Sequence, residues 1–426
     1  MNTLIRNIGK SGLILILLLH GGVLALAQSQ GYLLKASRVF DGENMHTGWV
    51  VLVEGNRIAA VGPEGSMRVP KEAERIELPG HTLLPGLIEG HSHLLLYPYD
   101  QMPWNDQVLK ESNELRAIRG GVHAEQGLQA GFTTVRDLGT EGAGFADVAL
   151  KQAIEQGIIP GPRLIVSGRA IVATGSYGPK GFKPDFEVPL GAEAADGDAI
   201  IRVVRDQIGK GADFIKVYAD YRWGPDGQAR PTFLQEELEL MVRTAASSGR
   251  VVAAHAGTAE GMRRATLAGV KTIEHGDDGT LEVFRLMKEK GVALCPTLAA
   301  GDAISRYRGW DGRPETEPQR IKEKKESFRL ALESGVTIIA GGDVGVFPHG
   351  ENARELELMV EYGMAPLAVL RSATAVNAAV FELPELGLLQ PGFLADIIAV
   401  EGDPLEDIHS LRKVALVMKD GVVVRH

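Results

Sequence analysis

Apolar runs and amphipathic stretches alternate through the middle of the chain. Eight runs of apolar and β-branched residues predict buried strands, over 82–93, 132–139, 163–171, 213–219, 251–257, 272–276, 292–298 and 337–343. Between them, apolar residues at helical spacing predict helices, for example over 117–131, 199–212, 235–249, 259–269 and 281–291. This alternation predicts an α/β fold, the (β/α)8 or TIM barrel, with its active site at the carboxyl ends of the strands.

Both ends of the chain have a different pattern. Over 32–86 and again over 395–424, short β-branched runs alternate with Gly, Asn, Asp and Pro, which is typical of strands joined by turns. We therefore expect the two strand-rich ends to pair in one sheet layer beside the barrel.

The first residues predict a secretory signal peptide. Arg6 and Lys10 precede an apolar run that starts at Leu13, and small residues follow at Ala25 and Ala27. We expect cleavage after Ala27 and export to the periplasm or the outside, with an uncleaved interfacial anchor as the alternative. The run is shorter than the roughly 20 residues of a membrane-spanning helix, so no stable span is expected in the mature chain.

The composition is that of a globular protein. Of the 426 residues, 44% are hydrophobic and 23% are charged, and the length suits one large domain with a smaller companion. The formal net charge of -10 argues against nucleic acid as a partner, because phosphate binding needs a basic surface. The single cysteine, Cys295, lies in an apolar run and is expected to pack rather than to react.

Ionisable residues interrupt the predicted strands near their ends. They are His91, His93, Lys216, His255, His275 and Asp343. His91 and His93 are two residues apart, so in a strand both imidazoles point to the same face. Any one of these residues alone is more simply interpreted as a buried residue whose polar atoms form hydrogen bonds within the core. Together at one end of a barrel they are hard to explain by packing, because a buried ionisable group costs several kcal/mol unless it is paired or binds a metal.

These residue types favour a divalent metal site. Imidazoles and a carboxylate suit zinc or a similar ion. A desolvated lysine beside metal ions can lose its proton and add carbon dioxide, which gives a carbamate able to bridge two metals. We therefore predict two divalent ions, with Zn²⁺ favoured, and a carbamate on Lys216. Such ions would lower the pKa of a bridging water towards ~7 and polarise a carbonyl, while Asp343 moves a proton from that water to the leaving amine.

Two further stretches carry structural expectations. The segment 301–328 is the longest interruption after the seventh strand; its first half lacks periodicity and its second half, 319–328, predicts a charged helix with a solvated face. A loop of this length over a barrel mouth often serves as a lid. Arg136 and Asp137 are expected to pair with each other or to steady the metal ligands.

From about Tyr32 to the C-terminus, the chain resembles the amidohydrolase superfamily. The resemblance rests on the order of the stretches PGLIEGHSH, GFTTVRDLG, GADFIKVY, AAHAG, TIEHG, AGGD, SATAVNAA and GFLADIIAV. It implies a metal-dependent hydrolase whose barrel, over 86–385, is flanked by a small β-sandwich built from 28–85 and 386–426. Enzymes of this kind are commonly homo-oligomers, and we expect the same here by analogy.

The same resemblance assigns the metal ligands. His91, His93 and Asp343 would hold the more buried ion, and His255 and His275 the other. A carboxylated Lys216 would bridge the two. The family pattern has Asp two residues before the first histidine, where this chain has Glu89, which would alter the contacts of the ligands and not their number.

Within the superfamily, KVYADYRWG and GLIEGHSHLLLYPYD look most like the branch of Xaa-Pro dipeptidases, prolidase-like carboxypeptidases and ochratoxin-type amidases. Substrates of that branch carry a free carboxylate next to the scissile amide, so a cation or hydroxyl is expected near it. The candidates are Tyr218, Tyr221 and Arg222, and Tyr218 could reach the scissile carbonyl from the strand face it shares with Lys216. His349 is a further candidate for substrate contact. Loop aromatics suggest an apolar pocket, namely Tyr97, Tyr99, Trp104, Tyr177, Trp310 and Phe347.

Several functions stay open from sequence. The first is an amide hydrolase acting on dipeptides or N-acyl amino acids, and the second is a lactonase, cyclic-amide hydrolase or esterase with the same metals. A non-catalytic binding relative would lack one or more of the ligands, and none is missing. A mononuclear deaminase is disfavoured because it would leave Lys216 without a role.

Overall fold

The computed structural model describes residues 31–426. The predicted signal peptide, 1–27, lies outside the described residues. Among the helices of 31–426, none is both long enough and apolar enough to cross a bilayer.

The described chain contains strands and helices in the alternation that the sequence predicts. The strands are β1 Tyr32–Phe40, β2 Met45–Thr47, β3 Trp49–Glu54, β4 Arg57–Pro63, β5 Glu74–Pro85, β6 Leu87–Ser92, β7 Phe132–Asp137, β8 Arg163–Val166, β9 Ile171–Val172, β10 Glu193–Ala194, β11 Ile215–Tyr218, β12 Asp220–Arg222, β13 Ala229–Pro231, β14 Val252–Ala256, β15 Thr272–His275, β16 Ala293–Cys295, β17 Ile397–Glu401, β18 Val414–Lys419 and β19 Val422–Arg425. The helices are α1 Trp104–Lys110, α2 Asn113–Gln129, α3 Ala146–Glu155, α4 Ala199–Gly209, α5 Gln235–Ala246, α6 Ala259–Ala268, α7 Leu281–Lys290, α8 Leu298–Tyr307, α9 Gln319–Ser334, α10 Ala353–Glu361, α11 Pro366–Arg371 and α12 Asn377–Val380.

The central strands form two parallel sheets. One has the order β6-β7-β8, and the other has the order β10-β9-β11-β14-β15-β16. Isolated parallel bridges extend both sheets, from Leu294 to Ile338 and from Ser92 to Val344, so the segment after α9 lies between β16 and β6. This confirms a mixed α/β fold with parallel strands, and the pairing order agrees with the predicted barrel. Closure of the ring into one barrel stays a prediction.

The prediction of a regular strand over 337–343 is wrong. This segment forms only the isolated bridges at its two ends. The chain passes so close to its neighbours that a Cβ atom on Gly341 would lie 2.6 Å from both Cys295 Sγ and the His91 backbone nitrogen. Asp343 then takes a φ of 63°, which leaves the extended conformation. The irregular backbone is what turns Asp343 towards the histidines of β6.

Both ends of the chain enter one eight-stranded sheet, as expected. Its order is β19-β18-β17-β5-β1-β3-β4, with β2 paired to β1. Strand β5 joins the two ends, because it pairs in parallel with β1 and antiparallel with β17. The sheet buries apolar side chains on both faces, with Leu34 in one cluster and Leu33 in another. A second sheet facing this one is not among the sheets of the described chain, so the β-sandwich stays a prediction.

Helices α6 and α7 begin and end where their caps predict. Thr258 accepts a hydrogen bond from the Gly261 backbone N–H at the start of α6, and Gly269 ends that helix with a φ of 89°. Helix α7 has the same arrangement at Thr280 and Gly291. Only glycine adopts such left-handed conformations at little cost, so these residues end the helices.

The segment 301–328 differs from its prediction in two ways. Residues 301–307 at its start are helical, because α8 extends to Tyr307. Helix α9 continues to Ser334 and has a buried face that includes Ile321, Lys324 and Phe328. The predicted solvated helix is therefore wrong for this face, since the two apolar side chains draw it into the core. Lys324 lies on the same face and donates to the His275 carbonyl oxygen at 2.6 Å.

Candidate active site

Two imidazoles lie at the carboxyl end of β6. His91 Nδ1 lies 2.9 Å from Glu274 Oε2, and His93 Nδ1 lies 2.9 Å from the Gly139 carbonyl oxygen. Each ring is therefore anchored through Nδ1, which leaves Nε2 for another partner. The His91 and His93 Nε2 atoms lie 3.6 Å and 3.4 Å from Asp343 Oδ1.

Donor atoms of His91, Asp343 and the nearby His275 all lie within 4.8 Å of one another, close enough to hold a metal ion. Within the described residues, His91 Nε2 and Asp343 Oδ1 are buried without a hydrogen-bond partner. Burial lowers the pKa of His91 and raises the pKa of Asp343, because each charged form loses its hydration. Unpartnered buried donors are costly unless a ligand satisfies them, and a nitrogen lone pair with a carboxylate oxygen is a typical pair of zinc donors.

His255 and His275 lie beside this site on the neighbouring strands β14 and β15. Their ring centroids are 4.4 Å apart, and the His275 ring is 5.2 Å from the His91 ring. His275 Nδ1 lies 2.8 Å from Thr297 Oγ1, so this ring is also anchored through Nδ1. Burial lowers the pKa of His255 to about 3 and that of His275 well below its usual value. Both imidazoles are therefore neutral near pH 7, the form that binds metals.

Lys216 lies on β11 and is buried, with 1% of its surface exposed. Its Nζ atom is 5.5 Å from the centroid of the Tyr218 ring. Burial lowers the pKa of Lys216, and the nearby carboxylates of Glu274 and Asp343 offset only part of this effect. A lysine that loses its proton easily is the kind that carbamate formation requires.

A buried carboxylate that sequence reasoning missed, Glu274, orients this site. Glu274 Oε1 accepts a hydrogen bond from Arg136 Nη2 at 2.7 Å, while its other oxygen faces His91. Burial opposes ionisation of Glu274, yet Arg136, His91 and Lys216 outweigh burial and hold its pKa below the usual value. Arg136 therefore pairs with Glu274, and the expected pair with Asp137 does not form. The available signal was a charged residue inside an apolar run, next to His275.

Glu89 connects β6 to the segment that carries Asp343. Its carboxylate accepts hydrogen bonds from the backbone N–H groups of His91 and Gly342, at 3.0 Å and 2.9 Å, and from Asn352 Nδ2 at 2.8 Å. Burial raises the pKa of Glu89 to about 7. Glu89 thus holds the backbone on both sides of the site, whereas the sequence predicted only that it would change ligand contacts.

Backbone strain is concentrated at this site. Non-glycine residues with positive φ include His275 at 77°, Asp343 at 63°, Thr297 at 50° and Glu141 at 48°. Such conformations cost about 1–3 kcal/mol each and persist where the surroundings impose them. Their clustering indicates a functional site.

A cavity of about 670 Å³ opens beside the histidines. Of the predicted metal ligands, His93, His255, His275 and Asp343 line it, and so do the predicted substrate residues Tyr218, Tyr221 and Arg222. Tyr99, Trp104 and Tyr177 line it as well. The Tyr218 ring stacks on His255 with centroids 4.5 Å apart.

Other predicted contacts lie elsewhere. His349 is stacked on His123 with ring centroids 4.1 Å apart, and its Nε2 lies 3.0 Å from the Leu96 carbonyl oxygen. His349 is not among the residues that line the cavity. Of the loop aromatics, Tyr97 donates to Glu111 and Trp310 donates to a backbone carbonyl of its own loop. Phe347 packs in the core.

The fold and the donor set agree with a known family. A model of the amidohydrolase family matches residues 82–424. The chain belongs to the amidohydrolase family. This amidohydrolase is therefore a hydrolytic enzyme, and the prediction of its family is confirmed.

Several proteins resemble this amidohydrolase along most of its length. An ochratoxinase of Aspergillus niger is 33% identical over 402 residues, which is 86% of this chain and 80% of that protein. The crystal structure of an Xaa-Pro dipeptidase with methionine bound in its active site has a TM-score of 0.83 and 34% identity, with 93% of this chain and 100% of that chain covered. A prolidase complexed with N-methylphosphonate-L-proline has a TM-score of 0.81 and 29% identity, with the same coverage. These similarities confirm the predicted branch of the family and support metal-dependent amide hydrolysis.

Proposed function

We propose that this amidohydrolase carries two divalent metal ions and cleaves an amide or peptide bond next to a free carboxylate. Its substrates would be Xaa-Pro or other dipeptides, or N-acyl and N-aroyl amino acids. The observation that carries the proposal is a pair of buried atoms, His91 Nε2 and Asp343 Oδ1, that have no hydrogen-bond partner within residues 31–426 and lie beside further imidazoles. The similarity to an Xaa-Pro dipeptidase and to an ochratoxinase supports the substrate class.

The chain offers two sets of metal donors. His91, His93 and Asp343 would hold the more buried ion, and His255 and His275 would hold the other. Lys216, as a carbamate, would contact both. When bound, a zinc pair supplies an activated hydroxide and polarises the scissile carbonyl.

Asp343 is proposed to move the proton. Its Oδ1 atom lies within 3.6 Å of His91 Nε2 and His93 Nε2, so its carboxylate stands where it can accept a proton from the attacking water and release it again. The water oxygen bonds to the carbonyl carbon, and the proton goes to the amide nitrogen as the carbon–nitrogen bond breaks. The products are a carboxylic acid and an amine, and no oxidant or further reactant is needed.

The cavity wall supplies the groups that would bind substrate. Tyr218 is proposed to donate its hydroxyl to the scissile carbonyl oxygen, because it lies on the same strand as Lys216 and stacks on His255. Arg222 and Tyr221 are proposed to bind the carboxylate of the substrate, since both line the cavity and Arg222 carries a permanent positive charge.

The same proposal covers the organisation of the chain. We propose that the two parallel sheets are parts of one (β/α)8 barrel over 86–385, and that 28–85 and 386–426 form a β-sandwich beside it. Export after cleavage at Ala27 and assembly into a homo-oligomer remain part of this proposal.

Metal analysis of freshly purified protein, combined with a substrate screen, tests the proposal. The screen compares Xaa-Pro dipeptides, N-acyl amino acids, lactones and cyclic amides. We expect about two zinc ions per chain and turnover of substrates that carry a carboxylate beside the amide.

Two results would contradict this proposal. One metal per chain in a fully active preparation would require a mononuclear mechanism. Turnover of lactones or cyclic amides without hydrolysis of any amide beside a carboxylate would exclude the proposed substrate class.

A further inference from the structure

A second carboxylate, Glu141, lies in the wall of the cavity. Only 3% of its surface is exposed, and it lies next to the tyrosines that line the site. Its Oε2 atom accepts hydrogen bonds from Trp104 Nε1 at 2.8 Å and from the Tyr177 hydroxyl at 2.6 Å. Its Oε1 atom accepts a longer hydrogen bond from the Tyr218 hydroxyl at 3.2 Å.

No cationic side chain donates a hydrogen bond to this carboxylate within the described residues. All three hydrogen-bond donors are neutral, and within residues 31–426 no lysine or arginine forms an ion pair with Glu141. Arg116 is near, but it donates to the Glu141 backbone carbonyl at 2.7 Å and not to the carboxylate. Burial lowers the pKa of Arg116 and the nearby Glu141 charge opposes this, so Arg116 balances part of the Glu141 charge but leaves both carboxylate oxygens to neutral donors. A cationic ligand that reached these oxygens would form the direct charged contact that they lack.

The backbone holds Glu141 in this position. Its φ of 48° is left-handed, a conformation that a non-glycine residue adopts at a cost. The buried Arg116 guanidinium binds the carbonyl oxygens of both Thr140 and Glu141, which fixes the turn. The backbone therefore holds Glu141 at the cavity wall, and hydrogen bonds from Trp104, Tyr177 and Tyr218 hold its carboxylate.

Aromatic rings surround the same position. The Tyr177 ring centroid is 4.6 Å from that of Tyr218, 4.8 Å from that of Tyr221 and 5.2 Å from that of Trp104. Aromatic faces attract cations, above all where water is excluded. A carboxylate within an aromatic wall is thus suited to an ammonium group.

We infer that Glu141 binds the free α-ammonium group of the substrate, so that this amidohydrolase acts on dipeptides in preference to N-acyl amino acids. The inference rests on the proposed function and narrows its substrate class. In a dipeptide the ammonium nitrogen is two bonds, roughly 2.5 Å, from the scissile carbonyl carbon. It must therefore lie close to the group that binds the carbonyl oxygen. Glu141 meets this requirement because its Oε1 atom lies 3.2 Å from the hydroxyl of the proposed carbonyl donor, Tyr218. With the ammonium bound at Oε1, the single proton of that hydroxyl would turn to the carbonyl oxygen.

The inference also fixes the orientation of the substrate in the cavity. The substrate ammonium would lie at Glu141, and its carboxylate would lie at Arg222, which lines the same cavity. A zwitterionic dipeptide meets both charges, whereas an N-acyl amino acid leaves the Glu141 oxygens with their neutral donors alone.

Matched substrates test this assignment by hydrolysis. Ala-Pro and propionyl-Pro differ only in the ammonium group. The ratio of their two kcat/KM values therefore measures how strongly the enzyme recognises that group. We expect the zinc-loaded wild type to prefer Ala-Pro by at least about 10-fold, and Glu141→Gln to reduce that ratio to near one. The control Glu54→Gln, on an exposed residue of the terminal sheet, should keep the wild-type ratio.

Binding provides a readout that does not require turnover. L-Phenylalaninamide and 3-phenylpropionamide differ in the same way, and calorimetry measures their dissociation constants with wild type and Glu141→Gln. We expect the wild type to bind the amine at least about 10-fold more tightly, and the variant to bind both alike. Tyr177→Phe removes a hydrogen bond and keeps the charge of Glu141, so it should keep the preference for the amine.

The outcomes separate the inference from the proposed function. Glu141→Gln could lower kcat/KM equally on Ala-Pro and propionyl-Pro and leave the ratio of the two dissociation constants unchanged. Glu141 would then only orient the tyrosines, and the inference would be wrong. A binding preference for the amine without hydrolysis of either substrate would support the ammonium site and contradict the proposed hydrolysis. A wild type that prefers propionyl-Pro and 3-phenylpropionamide would overturn the inference alone.

Discussion

His91 Nδ1 lies 2.9 Å from Glu274 Oε2, although 183 positions of sequence separate the two residues. This contact holds the proton of His91 on Nδ1 and leaves the Nε2 lone pair for a metal ion. Glu274 can keep its charge in the core because Arg136 binds its other oxygen. The arrangement is an arginine, a carboxylate and an imidazole in series behind the site.

Removing the charge of Glu274 should weaken metal binding. In Glu274→Gln the ring of His91 loses its charged partner and Arg136 loses its counterion. We expect the dissociation constant for zinc to rise by about 10–100-fold, and the protein to be destabilised by about 3–5 kcal/mol. Competition with a chromogenic chelator and thermal unfolding measure these two effects. Glu282→Gln, on the exposed start of α7, is the control. Unchanged zinc affinity in Glu274→Gln would remove its proposed positioning role.

The residues that would hold the metals and move the proton should be essential for hydrolysis. We expect Asp343→Asn to lower kcat by about 10²- to 10⁴-fold because the proton acceptor is lost, and Lys216→Ala to abolish activity with loss of bound zinc. Both variants should keep the circular dichroism spectrum of the wild type. Full activity in either purified variant would refute the proposed roles. Asp185→Asn and Lys210→Ala, at exposed positions, are the matched controls.

The hydroxyl of Tyr218 should act on the rate and not on substrate affinity. If it donates to the carbonyl oxygen as charge develops there, Tyr218→Phe lowers kcat by about 10²-fold and changes KM less than about 3-fold. The Tyr218 ring should keep its stacking on His255 in the variant. A rise in KM with unchanged kcat would assign Tyr218 to substrate binding alone.

Glu355 should make stability depend on pH. Its carboxylate is buried, Oε2 accepts from the Ala299 backbone N–H at 2.7 Å, and Oε1 lacks a hydrogen-bond partner within the described chain. Burial raises the pKa of Glu355 from 4.5 to about 8. The folded protein thus binds this proton more tightly than the unfolded chain. The resulting stability is complete below about pH 4.5 and is lost as the pH rises to about 8.

Glu355→Gln isolates this contribution. The variant keeps an acceptor for Ala299 and removes the ionisation, so its free energy of unfolding should exceed that of the wild type by on the order of a few kcal/mol at pH 8. The difference should vanish near pH 4. Urea unfolding at several pH values measures it, with Glu361→Gln on the exposed end of α10 as the control. A difference independent of pH would show that Glu355 is not the responsible group.

The strand and helix pattern of the parallel part was predictable from local sequence. Helices α5 to α7 lie where apolar spacing places them, and glycine caps end α6 and α7. The segment 337–343 was not predictable, because its apolar content favours a strand while the close approach of Gly341 to β6 and β16 prevents a regular one. The buried face of α9 was hidden by its many charges, which the structure places on the other side or pairs with neighbours.

The sequence by itself determined which residue types stand at the strand ends, because a histidine or lysine inside an apolar run is conspicuous and parallel strands end on one side of a sheet. It could not show which side chains meet behind and beside those residues. The pairs His91 with Glu274 and Tyr218 with Glu141 join residues on different elements. Strand periodicity fixes the face on which a side chain stands, but only the packing of one strand or loop against another decides its partner, and that packing sets the charge and the orientation of the site.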